Sequence, residues 1–227
     1  MIKKNINVKT FRLRYRKLTK NKFNIIDSYW PLIGINLHKN KLNLDEYFNN
    51  KSPIILEIGF GFGESLVNCA KKYKNLNFLG IEVYIPGICF CLNNIYSLNL
   101  NNVKIFYGNA INFFEYNIKN IFFNRINIFF PDPWPKRKHH KRRIIQKKII
   151  KKISKNLILN GFFHILTDSF SYFQSIQKIF NKLDQFKDES KIMNFYFFNK
   201  NTFYTRFLNK ANIKKKMIYN LIYKKIF

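Results

Sequence analysis

The sequence predicts an α/β fold, a doubly wound, mostly parallel sheet of seven strands with a basic N-terminal arm, and three observations point to it. Strand and helix patterns alternate from residue 53 onwards, which argues for a parallel sheet covered on both faces. The aliphatic run Pro53-Ile54-Ile55-Leu56-Glu57-Ile58 passes into Gly59-Phe60-Gly61-Phe62-Gly63 and then a partly helical pattern, Ser65 to Lys72. Those glycines occupy a strand-to-helix turn, where a residue without a Cβ tolerates positive φ and lets a ligand approach the main chain. Two further strand-like runs in the tail complete the seven.

In order, strands are predicted near 54–58, 77–82, 103–107, 126–130 and 161–167, and helices near 64–73, 87–98, 110–118, 142–158 and 170–183. Leu42 to Phe48 reads as a short helix leading into the core, and the tail runs are Met193 to Phe198 and Lys216 to Tyr223. A chain of 227 residues buries one sizeable core, so the expected organisation is an arm over 1–30 and a single domain over 31–227. Residues 1 to about 30 lack a clear period and set Arg12, Arg14, Arg16, Lys17, Lys20 and Lys22 around Phe11, Leu13 and Tyr15. That composition suits an arm on a nucleic-acid backbone or a solvated tail. There is no internal repeat.

Charge narrows the partner. Lys and Arg number 41 against 12 Asp and Glu, a net charge of +29, which points to a polyanion, with nucleic acid ahead of membrane. The chain is rich in Lys, Asn, Ile, Phe and Tyr, all with A/T-rich codons, so composition accounts for part of the excess and clustering must carry the rest. Cys69, Cys89 and Cys91 are too few and badly spaced for a disulfide framework or a zinc site, and are expected to be reduced and structural. The N-terminus has lysines but no apolar signal core, and nowhere do about 18 apolar residues run together. A soluble, cytoplasmic protein is the expectation.

Ligands of such sheets bind beyond the carboxyl ends of the strands, so those ends carry the candidate site. The first turn reads G-x-G-x-G with Glu57 ahead of it; the dinucleotide fingerprint G-x-G-x-x-G would need its third glycine at Glu64. Glu57 also suits a cationic ligand better than a pyrophosphate. The second strand closes on Glu82, a carboxylate able to accept both hydrogen bonds of a ribose diol, at roughly 1.5–3 kcal/mol each. Asn109, after the third strand, can meet an adenine amino group through its amide oxygen. The fourth strand ends in Phe130-Pro131-Asp132-Pro133-Trp134-Pro135-Lys136, where flanking prolines stiffen the backbone and fix one carboxylate at the sheet edge. Arg137 to Arg143 follow without an acid, a loop suited to gripping phosphates. Trp134 is a candidate stacking residue. His164, in an apolar strand, reads as a satisfied core histidine, and His139 and His140 as loop residues that can reach phosphate.

Leu56-Glu57-Ile58-Gly59-Phe60-Gly61, Gly80-Ile81-Glu82-Val83, Phe130-Pro131-Asp132-Pro133-Trp134 with Lys136 and Lys141-Arg142-Arg143, Thr167-Asp168 and Thr205-Arg206-Phe207 together resemble the bacterial tRNA (guanine-N7)-methyltransferases. The resemblance runs from about residue 30 to the C-terminus in consistent order. It implies a Rossmann-like class I methyltransferase fold whose last strand is antiparallel, S-adenosylmethionine as donor, and a guanine in the tRNA variable loop as acceptor. It also implies that Glu57, Gly59, Gly61, Gly63, Glu82, Asn109 and Asp132 contact the donor, with Asp132 catalytic. Lys136, Asp168, Thr205, Arg206, Phe207 and Leu208 would hold the substrate, and Lys138, His139, His140, Lys141, Arg142 and Arg143 would meet the RNA. No metal is implied, no membrane is involved, and a monomer is favoured. Two positions depart from the family pattern. Asn109 replaces an aspartate, keeping the acceptor without the charge, a weakening of about 1 kcal/mol. Leu208 replaces a glutamate and cannot hydrogen-bond a guanine edge.

Two rival readings follow from the same residues. An adenine amino-group methyltransferase would use (Asn/Asp)-Pro-Pro-aromatic, but here the prolines flank Asp132, so the register is wrong. A non-catalytic or weakened RNA-binding protein on a methyltransferase scaffold would explain Asn109, Leu208 and the biased composition. A nicotinamide dehydrogenase is disfavoured by the glycine spacing and the adjacent basic loop.

Overall fold

A computed structural model of the chain describes residues 10–11, 19–36, 42–115, 122–193 and 205–227. The elements in chain order are α1 (Lys20–Ile33), β1 (Gly34–Ile35), α2 (Asp45–Phe48), β2 (Ile54–Ile58), α3 (Glu64–Lys72), β3 (Asn77–Glu82), α4 (Ile85–Ser97), β4 (Val103–Tyr107), α5 (Ala110–Phe113) and β5 (Phe123–Phe129). A 3₁₀ segment over Arg137–Arg142 follows, then α6 (Lys147–Ile153), β6 (Leu157–Thr167), α7 (Phe170–Phe180), β7 (Phe186–Asp188), α8 (Ser190–Met193), α9 (Arg206–Ile213) and β8 (Tyr219–Lys225).

The strands form one sheet in the order β1-β4-β3-β2-β5-β6-β8-β7. From β1 to β6 every pairing is parallel, and β8 runs antiparallel to both β6 and β7. The chain leaves β2 towards β3 and β4 on one side and returns to β5 and β6 on the other. A crevice therefore opens above the carboxyl ends of β2 and β5, the switch point where such sheets bind ligands.

Both faces are covered, as the continuous apolar strands require. Leu56, Ile58, Leu79, Ile81, Ile126 and Ile128 face one core, closed by Ile150 and Ile153 of α6 and Tyr172, Ile176 and Phe180 of α7. Ile55, Phe78 and Ile105 face the other, against Leu66, Val67 and Ala70 of α3 and Ile88, Cys91 and Leu92 of α4. Cys69, Cys89 and Cys91 form no disulfide and are all buried, in keeping with a packing role.

Three features differ from the sequence reading. The sheet has eight strands, because Gly34–Ile35 adds a parallel edge on β4. The strand beside β8 is Phe186–Asp188, with only Phe186 buried; a three-residue edge strand is too short to show a period. Of the run Met193 to Phe198, Met193 ends α8 and the rest lies outside the described residues. The third difference is α1, which runs across residue 30. Ile25, Ile26, Tyr29, Trp30 and Ile33 do repeat at helical spacing, but Pro31 reads as a break in sequence and is accommodated in the last turn. Tyr29 stacks on Tyr96 of α4 at 4.1 Å, and Arg12, Arg14, Arg16 and Lys17 lie outside the described residues.

Candidate active site

The three loop glycines after β2 all have positive φ, at 76°, 62° and 79° for Gly59, Gly61 and Gly63. They serve two purposes. A Cβ on Gly59 or Gly61 would meet nothing within 4 Å, because both border an open cavity of about 290 Å³. A Cβ on Gly63 would lie 2.3 Å from Cys91 Sγ, so this glycine lets α3 close onto α4 and does not line the cavity. Gly87 of α4, unremarked in the sequence reading, approaches the same loop; a Cβ there would meet the Gly61 carbonyl oxygen.

Glu82, at the end of β3, holds the loop in shape. Its Oε2 accepts from Gly61 N–H at 2.7 Å, and its Oε1 accepts from Val83 and Tyr84 N–H at 2.6 and 2.9 Å. Burial pushes its pKa upward, opposed by those three N–H groups and reinforced by the nearby Asp132 charge. A carboxylate offers about four acceptor sites, so the residue can shape the loop and still face a ligand diol in the cavity it lines.

Glu57 sits elsewhere. It is 3 % exposed and is not part of the cavity wall. Burial raises its pKa to about 8, with the Ser65 hydroxyl and the Arg125 guanidinium acting in the opposite sense. Arg125 is the lone charged residue of strand β5, and a single cation inside a strand was the signal that could have exposed the pair. Asn109 is buried at the cavity edge. Its Oδ1 accepts from Ile111 N–H at 2.9 Å and caps α5, so the oxygen expected to face an adenine already has a structural duty.

Across the cavity, β5 ends in two residues of positive φ, Phe130 at 48° and Trp134 at 43°, either side of Pro131-Asp132-Pro133. Non-glycine residues in that region are strained, and such strain gathers at functional sites. The turn presents Asp132 as an exposed carboxylate on the cavity wall, facing the same space as Gly59, Gly61, Glu82 and Asn109. Phe207 of α9 closes the mouth, 61 % exposed and stacked against Phe130 at 6.1 Å. Thr10 and Phe11 also reach this wall, the part of the arm the structure brings to the site.

The remaining substrate candidates are spread around the rim. Thr205 caps α9 by accepting from Leu208 N–H at 3.0 Å. The Arg206 guanidinium pairs with Glu64 and lies 3.8 Å from the centre of the Phe62 ring, tying α9 to the glycine loop. Asp168 pairs with Lys216 at 2.8 Å, and neither it nor Lys136, Thr205, Arg206 or Leu208 borders the cavity.

The basic loop divides by burial. Lys136, Arg137, Lys138, Lys141 and Arg142 are exposed. Arg143 is 4 % exposed: its Nε donates to the Pro133 carbonyl at 2.8 Å, its Nη2 meets His140 Nε2 at 3.0 Å, and its guanidinium lies over the Tyr172 ring. The expectation that Arg143 grips RNA is therefore corrected; it braces the Pro-Asp-Pro turn from beneath, and burial lowers its pKa. Trp134 is corrected likewise. It is 5 % exposed, with His139 edge-on and Arg142 over its ring, so it supports the loop and cannot stack on a base. His164 is a core residue, joined to Asn220 at 2.8 Å, its pKa lowered to about 3 by burial.

Comparison with known proteins adds what geometry alone does not. Residues 51–221 match a family model described as a putative methyltransferase. The tRNA (guanine-N(7)-)-methyltransferase of Buchnera aphidicola subsp. Baizongia pistaciae is 41% identical, across 100% of this chain and 96% of that protein. This chain belongs to the tRNA (guanine-N7)-methyltransferase family. A more distant member, from Shewanella woodyi, is 39% identical over 81% of this chain and 77% of its own length. Among solved structures, a 30S ribosomal A1408 methyltransferase from an uncultured bacterium shares the fold, with a TM-score of 0.52 at 19% identity over 84% of this chain and 95% of that one. A Streptococcus thermophilus rRNA methylase does so with a TM-score of 0.53 at 13% identity, over 78% and 89%. Membership makes the doubly wound sheet and its crevice the expected frame. Among the described residues no three His, Cys, Asp or Glu side chains gather as a metal site, and no helix is long and apolar enough to cross a membrane.

Proposed function

We propose that this chain transfers a methyl group from S-adenosylmethionine to N7 of a guanine in tRNA, giving 7-methylguanosine, with the variable loop as the target region. The observation that carries the reading is one cavity whose walls hold Gly59, Gly61, Glu82 and Asn109 on one side and Asp132 and Phe207 on the other. The residues present suit a sulfonium nucleoside. Open space stands over two positive-φ glycines, a carboxylate available to a diol closes β3, and a second carboxylate faces the cation with no lysine on the wall among the described residues.

When bound, S-adenosylmethionine supplies an electrophilic methyl on a positively charged sulfur. The protein has little acid–base work to do, because guanine N7 carries its lone pair in the neutral base. Its task is alignment, which can supply roughly 7–11 kcal/mol of barrier reduction. The Gly59–Gly63 turn, held by Glu82, fixes the donor side. Asp132, fixed between two prolines and braced through Pro133 by Arg143, stabilises positive charge developing on the alkylated guanine and can accept a guanine N–H. Phe207, exposed at the mouth, offers a face on which an unstacked base can rest. The exposed cations of the 3₁₀ loop hold the phosphates around that base.

Incubating the protein with labelled S-adenosylmethionine and unmodified tRNA, then analysing nucleosides, tests this directly. Labelled 7-methylguanosine is the expected product. Label in another nucleoside, or none while tRNA still binds, would overturn the assignment and return the chain to a non-catalytic RNA-binding role.

A further inference from the structure

Composition bias explains lysines anywhere in this chain, so their distribution is the informative quantity. The thirteen residues of α4 contain no charged side chain, and α7 contains one, Lys178. Helix α3 follows the dipole, with Glu64 in its first turn and Lys71 and Lys72 in its last. Helix α6 does neither. Its sequence is KKIIKKI, with no acid in the first turn and Lys147 and Lys148 at its amino end, where cations oppose the partial positive charge of the helix. A bias acting evenly would not leave α4 and α7 nearly bare of charge while α6 carries lysines at both ends, two of them against its dipole and two with it.

The geometry separates the two sides of α6. Ile150 and Ile153 are fully buried against the sheet, while Lys147, Lys148, Lys151 and, just beyond, Lys155 are exposed. Positions 147 and 151 share one face at helical spacing, and Lys155 follows in the 3₁₀ turn Ser154–Asn156. Lys152 pairs with Glu115; among the described residues the other four have no carboxylate partner. The helix begins five residues beyond the end of the 3₁₀ loop that follows the Pro-Asp-Pro turn, and from Lys136 to Lys155 more than half the residues are Lys or Arg and none is acidic.

We infer that the lysine face of α6, made of Lys147, Lys148, Lys151 and Lys155, is a second RNA-contact surface, continuing the basic loop away from the cavity onto the phosphate backbone of the helical stem beside the target loop. The inference rests on the tRNA reading above. Flexible lysines tracking a backbone carry no sequence information, which suits a contact that sets the position of the RNA and leaves base choice to the cavity.

The test is the salt dependence of tRNA binding, measured on the whole chain for two triple variants of equal charge loss. Lys147→Gln/Lys148→Gln/Lys151→Gln removes the face, whereas Lys51→Gln/Lys71→Gln/Lys74→Gln removes exposed lysines just before β2 and at the end of α3, the helix packed on the other face of the sheet. The first is expected to reduce the slope of log affinity against log salt by about 2, at roughly 0.7–0.9 per contact, and the second to leave it nearly unchanged. Lys151→Gln alone is expected to give about a third of that change, which keeps the inference testable should the triple variant fold poorly. Equal changes in the two triples, or none in the first, would overturn it. The slope is a binding measurement, so failure of the parent chain to form 7-methylguanosine would count against the methyltransferase reading and not against this surface.

Discussion

The two walls of the cavity, which we propose as donor side and acceptor side, are built by different means. On the donor side the functional surface is mostly main chain: two glycines at positive φ, Gly59 and Gly61, beside the N–H groups that converge on Glu82. On the acceptor side it is mostly side chain: one carboxylate on a strained turn, an exposed phenylalanine and a row of cations, with a buried arginine beneath. A main-chain site tolerates no substitution at its turns. A side-chain site divides its residues into those that touch the ligand and those that hold them, and that division follows burial rather than residue type.

The sharpest way to break the donor side is Gly61→Ala. A left-handed φ costs an alanine roughly 1–2 kcal/mol, and the new Cβ points into the cavity. Calorimetry should show S-adenosylmethionine affinity reduced at least tenfold, about 1.4 kcal/mol, with the protein still folded. Gly63→Ala should reverse the balance, lowering the unfolding temperature more than Gly61→Ala because its Cβ meets Cys91.

The acceptor side is sharpened by separating two adjacent arginines. Arg143→Ala is expected to destabilise the protein by roughly 2–4 kcal/mol in urea unfolding, since it strips the Pro133 carbonyl and Tyr172 of a buried partner, and to leave the salt slope of tRNA binding intact. Arg142→Gln should do the opposite, with little loss of stability and a slope lower by roughly 0.7–0.9. Equal behaviour of the two would show that burial is the wrong criterion.

A smaller effect tests the layer beneath the donor loop. Glu57 has its pKa raised to about 8, so it is protonated in the fold and ionised in the unfolded chain above its ordinary value. The unfolded chain then binds fewer protons across that window, and the stability contributed in full at low pH is lost as pH rises towards 8. One such group gives a slope of at most about 1.4 kcal/mol per pH unit. Glu57→Gln should flatten the decline in unfolding free energy between pH 5.5 and 7.5. Burial raises the Glu82 pKa too, so a residual slope of the same sign should persist.

What was legible in the sequence follows the same division. The glycine turn, the strand-end acid Glu82 and the Pro-Asp-Pro turn are local patterns, and each marks a cavity wall in the structure. Helix α1 was missed because Pro31 masks its period, and Phe186–Asp188 because an edge strand of three residues has none. Arg143 and Trp134 were misassigned because sequence cannot say which members of a basic, aromatic stretch turn inward. Glu57 and Arg125 sit on neighbouring strands far apart in the chain, and their proximity exists only once β2 pairs with β5.

The most direct test of the account is a comparison of the parent chain with Asp132→Ala in single-turnover methylation of tRNA, with tRNA affinity measured on the same preparations. The account predicts that 7-methylguanosine formation is abolished while the dissociation constant for tRNA stays within about threefold, an order-of-magnitude bound of about 0.7 kcal/mol. Turnover that survives the substitution would contradict the role given to Asp132 and remove the acceptor side from the proposed chemistry.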